Sequence, residues 1–386
     1  MRLNLYRWLL VLFIGILPVF VQAQKKKKDK KKEEDLTLID QGKKQSMTDL
    51  EGTDTTVVAP EEKHITLHKG GLKLIDSGDY DKAILEFKKS LKLQKDYYES
   101  WLKMGYCKMM LGDHAGADKD FIKAQETGPN DFETLKLVGI NFFLMKDYKS
   151  SKEYLDSALF AYQNEKVDDA EYHYYRGKLM YVGKSYKTAL EECATALEID
   201  KKYYDAMILR CEVRFAQKEY AYALRELNET IKVLPEEKKD YNLYKMRAQA
   251  KFELKDYKGS VSDWSVYIDA NSKDEDALIS RAMARINTND FTNAVVDLDE
   301  AIKMNPKNHV SWCYRGLAKG SNKQIVEGIK DLDYSIKLKF DYSTAYVNRA
   351  ALKMAAKDKR GACDDLQKAD SLGNNMAPQL FEQYCK

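Results

Sequence analysis

The sequence has few of the residues that mark several common classes of protein. Among 386 residues there are only 6 Pro, 6 Cys and 19 Gly. The scarcity of Pro, together with little Val and Thr, disfavours β-sandwiches and barrels, and the glycine count excludes a collagen-like chain. No C-x-x-C spacing occurs, so zinc and thioredoxin chemistry have no support. The helix formers Lys, Leu, Ala and Glu dominate instead, which predicts a helical protein.

An excess of one charge is also missing. The chain has 64 basic and 61 acidic residues, a net charge of +3, and this balance predicts no nucleic-acid partner. The basic excess is local, because residues 24–35 contain seven Lys against four acidic residues. Any electrostatic attraction to an anionic surface would therefore come from the N-terminal region.

The one long apolar run lies at the N-terminus. It extends from Trp8 to Val21, follows Arg2 and Arg7, and ends at Val21-Gln22-Ala23. This run is short for a bilayer span, and it predicts a signal peptide over 1–23 that is cleaved after Ala23. We therefore expect an exported protein, periplasmic or associated with an outer membrane. The alternative is an uncleaved N-terminal membrane anchor, because the lysines just beyond the run favour retention.

Residues 24–63 show no apolar period and predict a disordered tether. Its lysines could bind anionic lipid or glycan, or could belong to a solvated spacer. These tether lysines are Lys25, Lys26, Lys27, Lys28, Lys30, Lys31 and Lys32.

A period of 34 residues fills the rest of the chain, and we number each repeat from position 1 to position 34. The nine predicted repeats begin at His64, Tyr98, Phe132, Ala170, Tyr204, Tyr241, Glu275, His309 and Ser343. Positions 8 and 20 are small in every repeat, as at Gly105 and Ala117, which suits two helices whose backbones approach closely. Position 24 holds a larger partner, such as Phe121.

This spacing resembles the tetratricopeptide repeat family. The resemblance implies an all-α fold, a right-handed α-solenoid of about nine helix-turn-helix repeats with a C-terminal capping helix. The predicted segments are repeats 1–3 over 64–165, repeats 4–9 over 170–376 and the cap over 377–386, with a hinge at 166–169. The family mostly binds partners in a concave groove, so we expect a scaffold or adaptor for protein partners rather than an enzyme.

Repeats 4–9 carry Arg at position 7 and an acidic residue at position 23, 16 residues later. Arg315 and Asp331 are one such pair. The opposite charges of positions 7 and 23 predict an ion pair within each repeat, since a planar guanidinium suits a half-buried carboxylate. The alternative, a row of arginines that binds phosphate groups, would not explain the acidic residue at position 23 of the same repeats.

The sequence shows no catalytic constellation, and it predicts no metal and no cofactor. His64 and His68 are four residues apart, but two solvated histidines explain them more simply than a metal site. Four cysteines fall on apolar faces, whereas Cys363 and Cys385 lie on the last repeat and the cap. In an oxidising compartment these two could form a disulfide that holds the cap in place.

The groove that the resemblance implies is apolar over repeats 2–5. Met and Tyr would provide the binding contacts, and two lysines would favour acidic flanks of a partner segment from another envelope protein. The predicted groove residues are Leu102, Tyr106, Met109, Met110, Lys136, Ile140, Phe143, Leu144, Tyr174, Lys178 and Tyr181. The rival hypothesis is a structural spacer held to anionic lipid or glycan by the tether lysines.

Overall fold

The computed structural model describes residues 60–162 and 167–386, and in these ranges it is all-α with no β-strand. The all-α prediction is confirmed. The described residues form two compact units. We call residues 60–162 the N-terminal unit and residues 167–386 the C-terminal unit. The signal peptide and the tether lysines lie outside the described residues, and the hinge at 166–169 stays a prediction.

The N-terminal unit contains three helix pairs. Its helices are α1 (Pro60–Asp76), α2 (Tyr80–Leu93), α3 (Tyr98–Met110), α4 (His114–Thr127), α5 (Phe132–Leu144) and α6 (Tyr148–Ala161). The first helix begins at Pro60 rather than at the predicted His64. Proline is compatible with the first turn of a helix, where its missing N–H would have no partner, so the helix extends one turn further back.

The C-terminal unit contains six helix pairs and a final helix. Its helices are α7 (Ala170–Val182), α8 (Tyr186–Ile199), α9 (Tyr204–Ala216), α10 (Tyr220–Val233), α11 (Tyr241–Glu253), α12 (Tyr257–Ala270), α13 (Glu275–Asn287), α14 (Phe291–Met304), α15 (His309–Ser321), α16 (Ile325–Leu338), α17 (Ser343–Ala355), α18 (Lys359–Ser371) and α19 (Ala377–Cys385). A short 3₁₀ turn, Glu236–Lys238, precedes α11. Repeats 2–9 all begin at the predicted residue.

The small residues at positions 8 and 20 lie where the two helices of a repeat cross, as predicted. A Cβ added to Gly105 would come within 2.7 Å of the ring of Phe121, and one added to Gly316 within 2.7 Å of the Gly328 carbonyl oxygen. Ala117 and Phe121 are fully buried beside this crossing. Because the gap admits no larger side chain, these positions set the distance between the paired helices.

The turn between paired helices has a left-handed residue at position 15 in every repeat. Gly78 and Gly112 fill it in repeats 1 and 2, and the other seven repeats use Lys or Asn, as at Lys146 with φ 66°. The next residue is often Asp, whose carboxylate accepts a backbone N–H three residues later, as Asp113 does from Gly116 at 2.9 Å. A left-handed residue followed by a capping carboxylate ends one helix and begins the next.

The predicted ion pairs are confirmed in repeats 4–9. Arg315 donates from Nε and Nη2 to the two carboxylate oxygens of Asp331, both at 2.8 Å, and from Nη1 to Asp299 of the preceding repeat at 2.7 Å. Lys319 also contacts Asp331 at 2.8 Å. The same pattern recurs at Arg349, which bridges to Asp333. The arginine therefore joins neighbouring repeats as well as the two helices of its own repeat.

The last helix covers the end of the array. Leu380 on α19 packs with Val347 and Leu366 of repeat 9. Cys363 and Cys385 form a disulfide with their Cα atoms 5.7 Å apart. In the parts of the chain that the structure describes, no helix is both long enough and apolar enough to cross a membrane.

Candidate partner-binding surface

Five of the predicted groove residues belong to the core of the N-terminal unit. Each is less than a tenth exposed: Leu102, Met109, Lys136, Ile140 and Phe143. These five side chains are therefore buried rather than exposed in a groove, and their binding role stays a prediction. They stabilise the packing and leave little surface for a partner.

Lys136 is also electrostatically satisfied within the unit. Its Nζ lies 2.9 Å from Glu133, which contacts Lys103 at 3.3 Å as well. The two lysines hold the pKa of the Glu133 carboxyl below its usual value, although burial acts in the opposite direction. A buried, paired lysine offers no charge to an acidic partner, so the predicted preference for acidic flanks has no support at Lys136.

The accessible apolar surface of this unit lies at its helix turns. Met110 is 48% exposed, and Leu111 and Met145, which the sequence analysis missed, are 47% and 43% exposed. Tyr148 begins α6 beside them and is 36% exposed. We call these four residues the turn patch. Tyr106 and Leu144 lie nearby and are half-buried.

A hydrogen-bonded pair joins repeats 2 and 3 near the turn patch. The Asn141 side-chain amide donates to the His114 carbonyl at 3.1 Å, and its Oδ1 lies 3.2 Å from His114 Nδ1. Asn141 is buried on α5, whereas His114 begins α4. This bond joins the first residue of α4 in repeat 2 to α5 in repeat 3, and the same amide nitrogen lies 3.7 Å from Met145 Sδ. The sequence signal for this patch is a pair of apolar residues where α3 and α5 end, Met110-Leu111 and Leu144-Met145.

In the C-terminal unit, the predicted residues Tyr174, Lys178 and Tyr181 are half-buried on α7. The Tyr174 ring lies 5.4 Å from that of Tyr203, and Lys178 Nζ lies 5.4 Å from the Tyr174 ring centre. Aromatic rings and a cation at such distances attract one another. Burial raises the pKa of the Tyr174 hydroxyl well above its usual value.

Glu212 on α9 is an acidic neighbour of this aromatic group that the sequence analysis missed. Burial raises the pKa of its carboxyl; Lys178 opposes that rise and Asp240 adds to it. The same carboxylate contributes to the raised pKa of Tyr181. The aromatic group therefore has both a basic and an acidic neighbour, Lys178 and Glu212. Lys178 alone does not define a preference for acidic partners.

Two further features of the described residues concern metal binding and free thiols. No group of three or more His, Cys, Asp or Glu within 60–162 and 167–386 is placed to hold a metal ion. The four free thiols, Cys107, Cys193, Cys211 and Cys313, are buried, and burial raises their pKa to about 12. Such thiols stay protonated near neutral pH and are poor nucleophiles.

Comparison with known proteins identifies relatives of the repeat. Residues 71–97 and 275–308 match the tetratricopeptide repeat family. A curated relative, anaphase-promoting complex subunit 3 of Schizosaccharomyces pombe, is 28% identical over 80 residues, which are 21% of this chain and only 12% of that protein.

Solved structures also resemble the chain in part. A tetratricopeptide repeat protein from Parabacteroides merdae aligns with a TM-score of 0.46 at 18% identity, covering 66% of this chain and 99% of that one. The pilF protein of Pseudomonas aeruginosa aligns with a TM-score of 0.46 at 15% identity, covering 54% of this chain and 92% of that one. The family model matches residues 71–97 and 275–308, so the likeness in sequence to tetratricopeptide repeats covers these two of the nine helix pairs in the described residues.

Proposed function

We propose that this protein is a non-enzymatic adaptor that binds a protein segment at the turn patch. Tetratricopeptide repeat proteins are protein-interaction scaffolds, and the repeat itself is the general ground for the proposal. The specific observation is the exposure of Met110, Leu111 and Met145 at the turns of repeats 2 and 3. Clustered exposed apolar side chains mark interaction sites, and Met adapts its shape to different partners.

Photocrosslinking in cells tests this proposal. A photoreactive amino acid at Leu111 should give discrete adducts, and the same residue at Leu85 should not. Leu85 is the matched control, because it is 55% exposed but lies on α2, away from the turn patch. The adducts at 111 should disappear when Met145→Asp is added, since a charge on the neighbouring turn would repel an apolar segment.

Equal adducts at 111 and 85, or adducts that persist with Met145→Asp, would contradict binding at the turn patch. Circular dichroism of each variant shows whether the fold is intact. Mass spectrometry of the adduct would identify the partner.

We further propose that the protein is exported, as the N-terminal sequence predicts. The Cys363–Cys385 disulfide supports this proposal, because structural disulfides persist in oxidising compartments. Intact mass of the protein purified from an envelope fraction tests it. We expect the mass of a chain that begins at Gln24. A mass that includes residues 1–23 would favour the membrane-anchored alternative.

The spacer hypothesis and the role of Lys25–Lys28 and Lys30–Lys32 stay predictions, because these residues lie outside the described parts of the chain. Release of the protein from anionic membranes near 0.5 M salt would favour that role, since salt screens surface charge.

A further inference from the structure

Exposed lysines occupy the left-handed turn position in most repeats of the C-terminal unit. Position 15 has a positive φ in every repeat, and glycine adopts this conformation with the least strain. Repeats 4, 5, 6, 8 and 9 nevertheless have lysine there: Lys184, Lys218, Lys255, Lys323 and Lys357. All five residues are exposed. Non-glycine residues held in such a conformation concentrate at functional sites, so we expect these lysines to have a role beyond closing the turn.

The turns of neighbouring repeats lie along one edge of this unit. The two helices of each pair are antiparallel and successive pairs stack in the same orientation, so every turn is at the same end of the helices. Burial raises the pKa of the Tyr220 hydroxyl at the turn of repeat 5, and the charge of Glu253 in repeat 6 raises it further. Burial also raises the pKa of the Glu253 carboxyl, and Lys218 opposes that rise. The turns of repeats 5 and 6 are therefore close neighbours.

Exposed apolar side chains accompany the turn lysines of repeats 4–6. Val182 ends α7 and is 44% exposed, Tyr222 lies in the first turn of α10 and is 52% exposed, and Leu254 follows α11 and is 43% exposed. Each of the three repeats thus contributes one lysine and one apolar side chain to the same edge. We call the six residues the basic edge: Val182, Lys184, Lys218, Tyr222, Leu254 and Lys255.

The acidic residues that follow the turn lysines already have hydrogen-bond partners. Asp256 accepts a backbone N–H at 3.0 Å, and Glu219 accepts a hydrogen bond from Arg214 at 2.5 Å. Within the part of the chain that the structure describes, neither Lys184 nor Lys255 forms an ion pair. The charge of these two lysines therefore remains available to a ligand outside the protein.

Arginine adds to the positive charge around Tyr222. The guanidinium carbon of Arg225 lies 4.9 Å from the centre of the tyrosine ring, and that of Arg214 lies 5.3 Å from it. Arg225 is exposed. A guanidinium can donate two parallel hydrogen bonds to a phosphate group, so an exposed ring and a phosphate-binding group lie side by side at this point of the edge.

We propose that the basic edge docks the C-terminal unit on an anionic lipid surface. The lysines bind headgroup phosphates, while Val182, Tyr222 and Leu254 insert at the level of the headgroups, where a tyrosine ring with a polar end is stable. The apolar side chains are one repeat apart, so they suit a flat surface better than a single peptide segment, which needs adjoining pockets. Docking at this edge is separate from binding at the turn patch, and either can fail without the other.

Co-sedimentation of the full chain with vesicles tests the role of the lysines. The vesicles contain phosphatidylglycerol and phosphatidylcholine in equal amounts, or phosphatidylcholine alone. The triple variant Lys184→Asn, Lys218→Asn, Lys255→Asn keeps the turn conformation, because Asn289 has it at the same position of repeat 7. Its partition onto the anionic vesicles should be about a hundredfold weaker than that of wild type, since each lysine near such a surface contributes about fivefold.

Three lysines at the opposite edge provide the matched control. Lys201, Lys273 and Lys307 are exposed and lie in the connections between repeats. A helix of this length spans about 20 Å, so these connections lie beyond the roughly 8–10 Å over which a surface charge acts in physiological salt. Replacement of all three with Asn removes the same charge and should weaken partition by less than about threefold. Both triple variants keep the tether lysines, so a difference between them arises in the C-terminal unit.

Tryptophan fluorescence tests for direct contact with lipid. Helix α10 has an exposed apolar residue near each end, Tyr222 at 52% and Val233 at 48%. With brominated phosphatidylglycerol in the vesicles, Tyr222→Trp should be quenched more than the wild-type tryptophans are. Val233→Trp, at the far end of the same helix, should add no quenching.

Equal partition of the two triple variants, or equal quenching at 222 and 233, would overturn the proposal. Binding of wild type to soluble polyglutamate that depends on the three turn lysines, without partition onto vesicles, would also overturn it and would assign the edge to an acidic protein segment. Circular dichroism of each variant establishes that the helices are intact.

Discussion

At the scale of single residues, the guanidinium of Arg315 makes three hydrogen bonds to two repeats. Two go to Asp331, which is nearly buried, and the third goes to Asp299 of the preceding repeat. A lysine could keep the charge but not the planar fork that matches both carboxylate oxygens. Position 7 therefore requires the planar geometry of arginine as well as its charge.

We predict that Arg315→Lys lowers the free energy of unfolding by about 1 kcal/mol and that Arg315→Leu lowers it by about 2 kcal/mol. The leucine variant leaves the buried Asp331 with Lys319 alone. Chemical denaturation measures both. Lys187→Ala is the control, because Lys187 is 91% exposed at the side chain and pairs with Glu191 only at 3.9 Å, so its loss should change stability little. Equal effects of Arg315→Leu and Lys187→Ala would contradict the prediction.

A second single-residue effect concerns pH. His68 is buried, and its Nδ1 lies 3.0 Å from Ser100 Oγ, which donates to Ser90. Burial lowers the pKa of His68 to about 4, with smaller effects from Lys103 and His64. The folded unit therefore holds the ring neutral at pH values where the unfolded chain already binds a proton.

The N-terminal unit should lose stability as the pH falls from the ordinary histidine pKa of about 6.5 to about 4. Below pH 4 the ring is protonated in both the folded and the unfolded state, and the loss levels off at about 3 kcal/mol. His68→Gln keeps a donor for Ser100 without a titrating ring. The difference between wild type and this variant in denaturation curves near pH 7.5 and pH 4.5 isolates the histidine, because carboxylate effects cancel. A difference that does not change with pH would disprove the prediction.

At the scale of the element, the distance between paired helices depends on the smallest side chains. We predict that Gly316→Ala destabilises the pair α15–α16 by about 2 kcal/mol, because the new Cβ would lie 2.7 Å from the Gly328 carbonyl and 2.8 Å from Leu332. Gly70→Ala on α1 is the matched control, since no atom lies within 4 Å of its added Cβ. That control should gain about 0.8 kcal/mol from helix propensity. Thermal unfolding compares the two, and a Gly316→Ala protein as stable as wild type would refute the packing argument.

The same elements show what the sequence could and could not predict. The starts of repeats 2–9 were predictable because a small residue at position 8 or 20 is required wherever two helices cross. Ile140 and Phe143 were expected on an accessible groove and are buried, because helical period shows which side a residue faces, but not whether the next repeat covers it. Leu111 and Met145 were missed because residues at a turn are not part of the helical period.

At the scale of the whole molecule, the two units differ in the number of repeats that stabilise them. Stability in repeat proteins is approximately the sum of repeat and interface contributions, so it increases with the number of stacked repeats. The N-terminal unit has three helix pairs, whereas the C-terminal unit has six and ends in α19, which is held by the disulfide. The arginine bonds between repeats, such as Arg349 to Asp333, also lie in the C-terminal unit.

We therefore predict that a fragment of residues 167–386 folds alone and melts at a higher temperature than a fragment of residues 60–162. Circular dichroism of the two fragments, both under oxidising conditions, measures this difference. Reduction of the first fragment should lower its melting temperature, because the disulfide closes a loop with a sequence separation of 22 and constrains the unfolded chain. Removing 377–386 should lower it further, since Leu366 and Val347 would lose the apolar cover of α19. If the six-repeat fragment were unfolded, or melted below the three-repeat fragment, stacking of repeats would not be the main source of its stability.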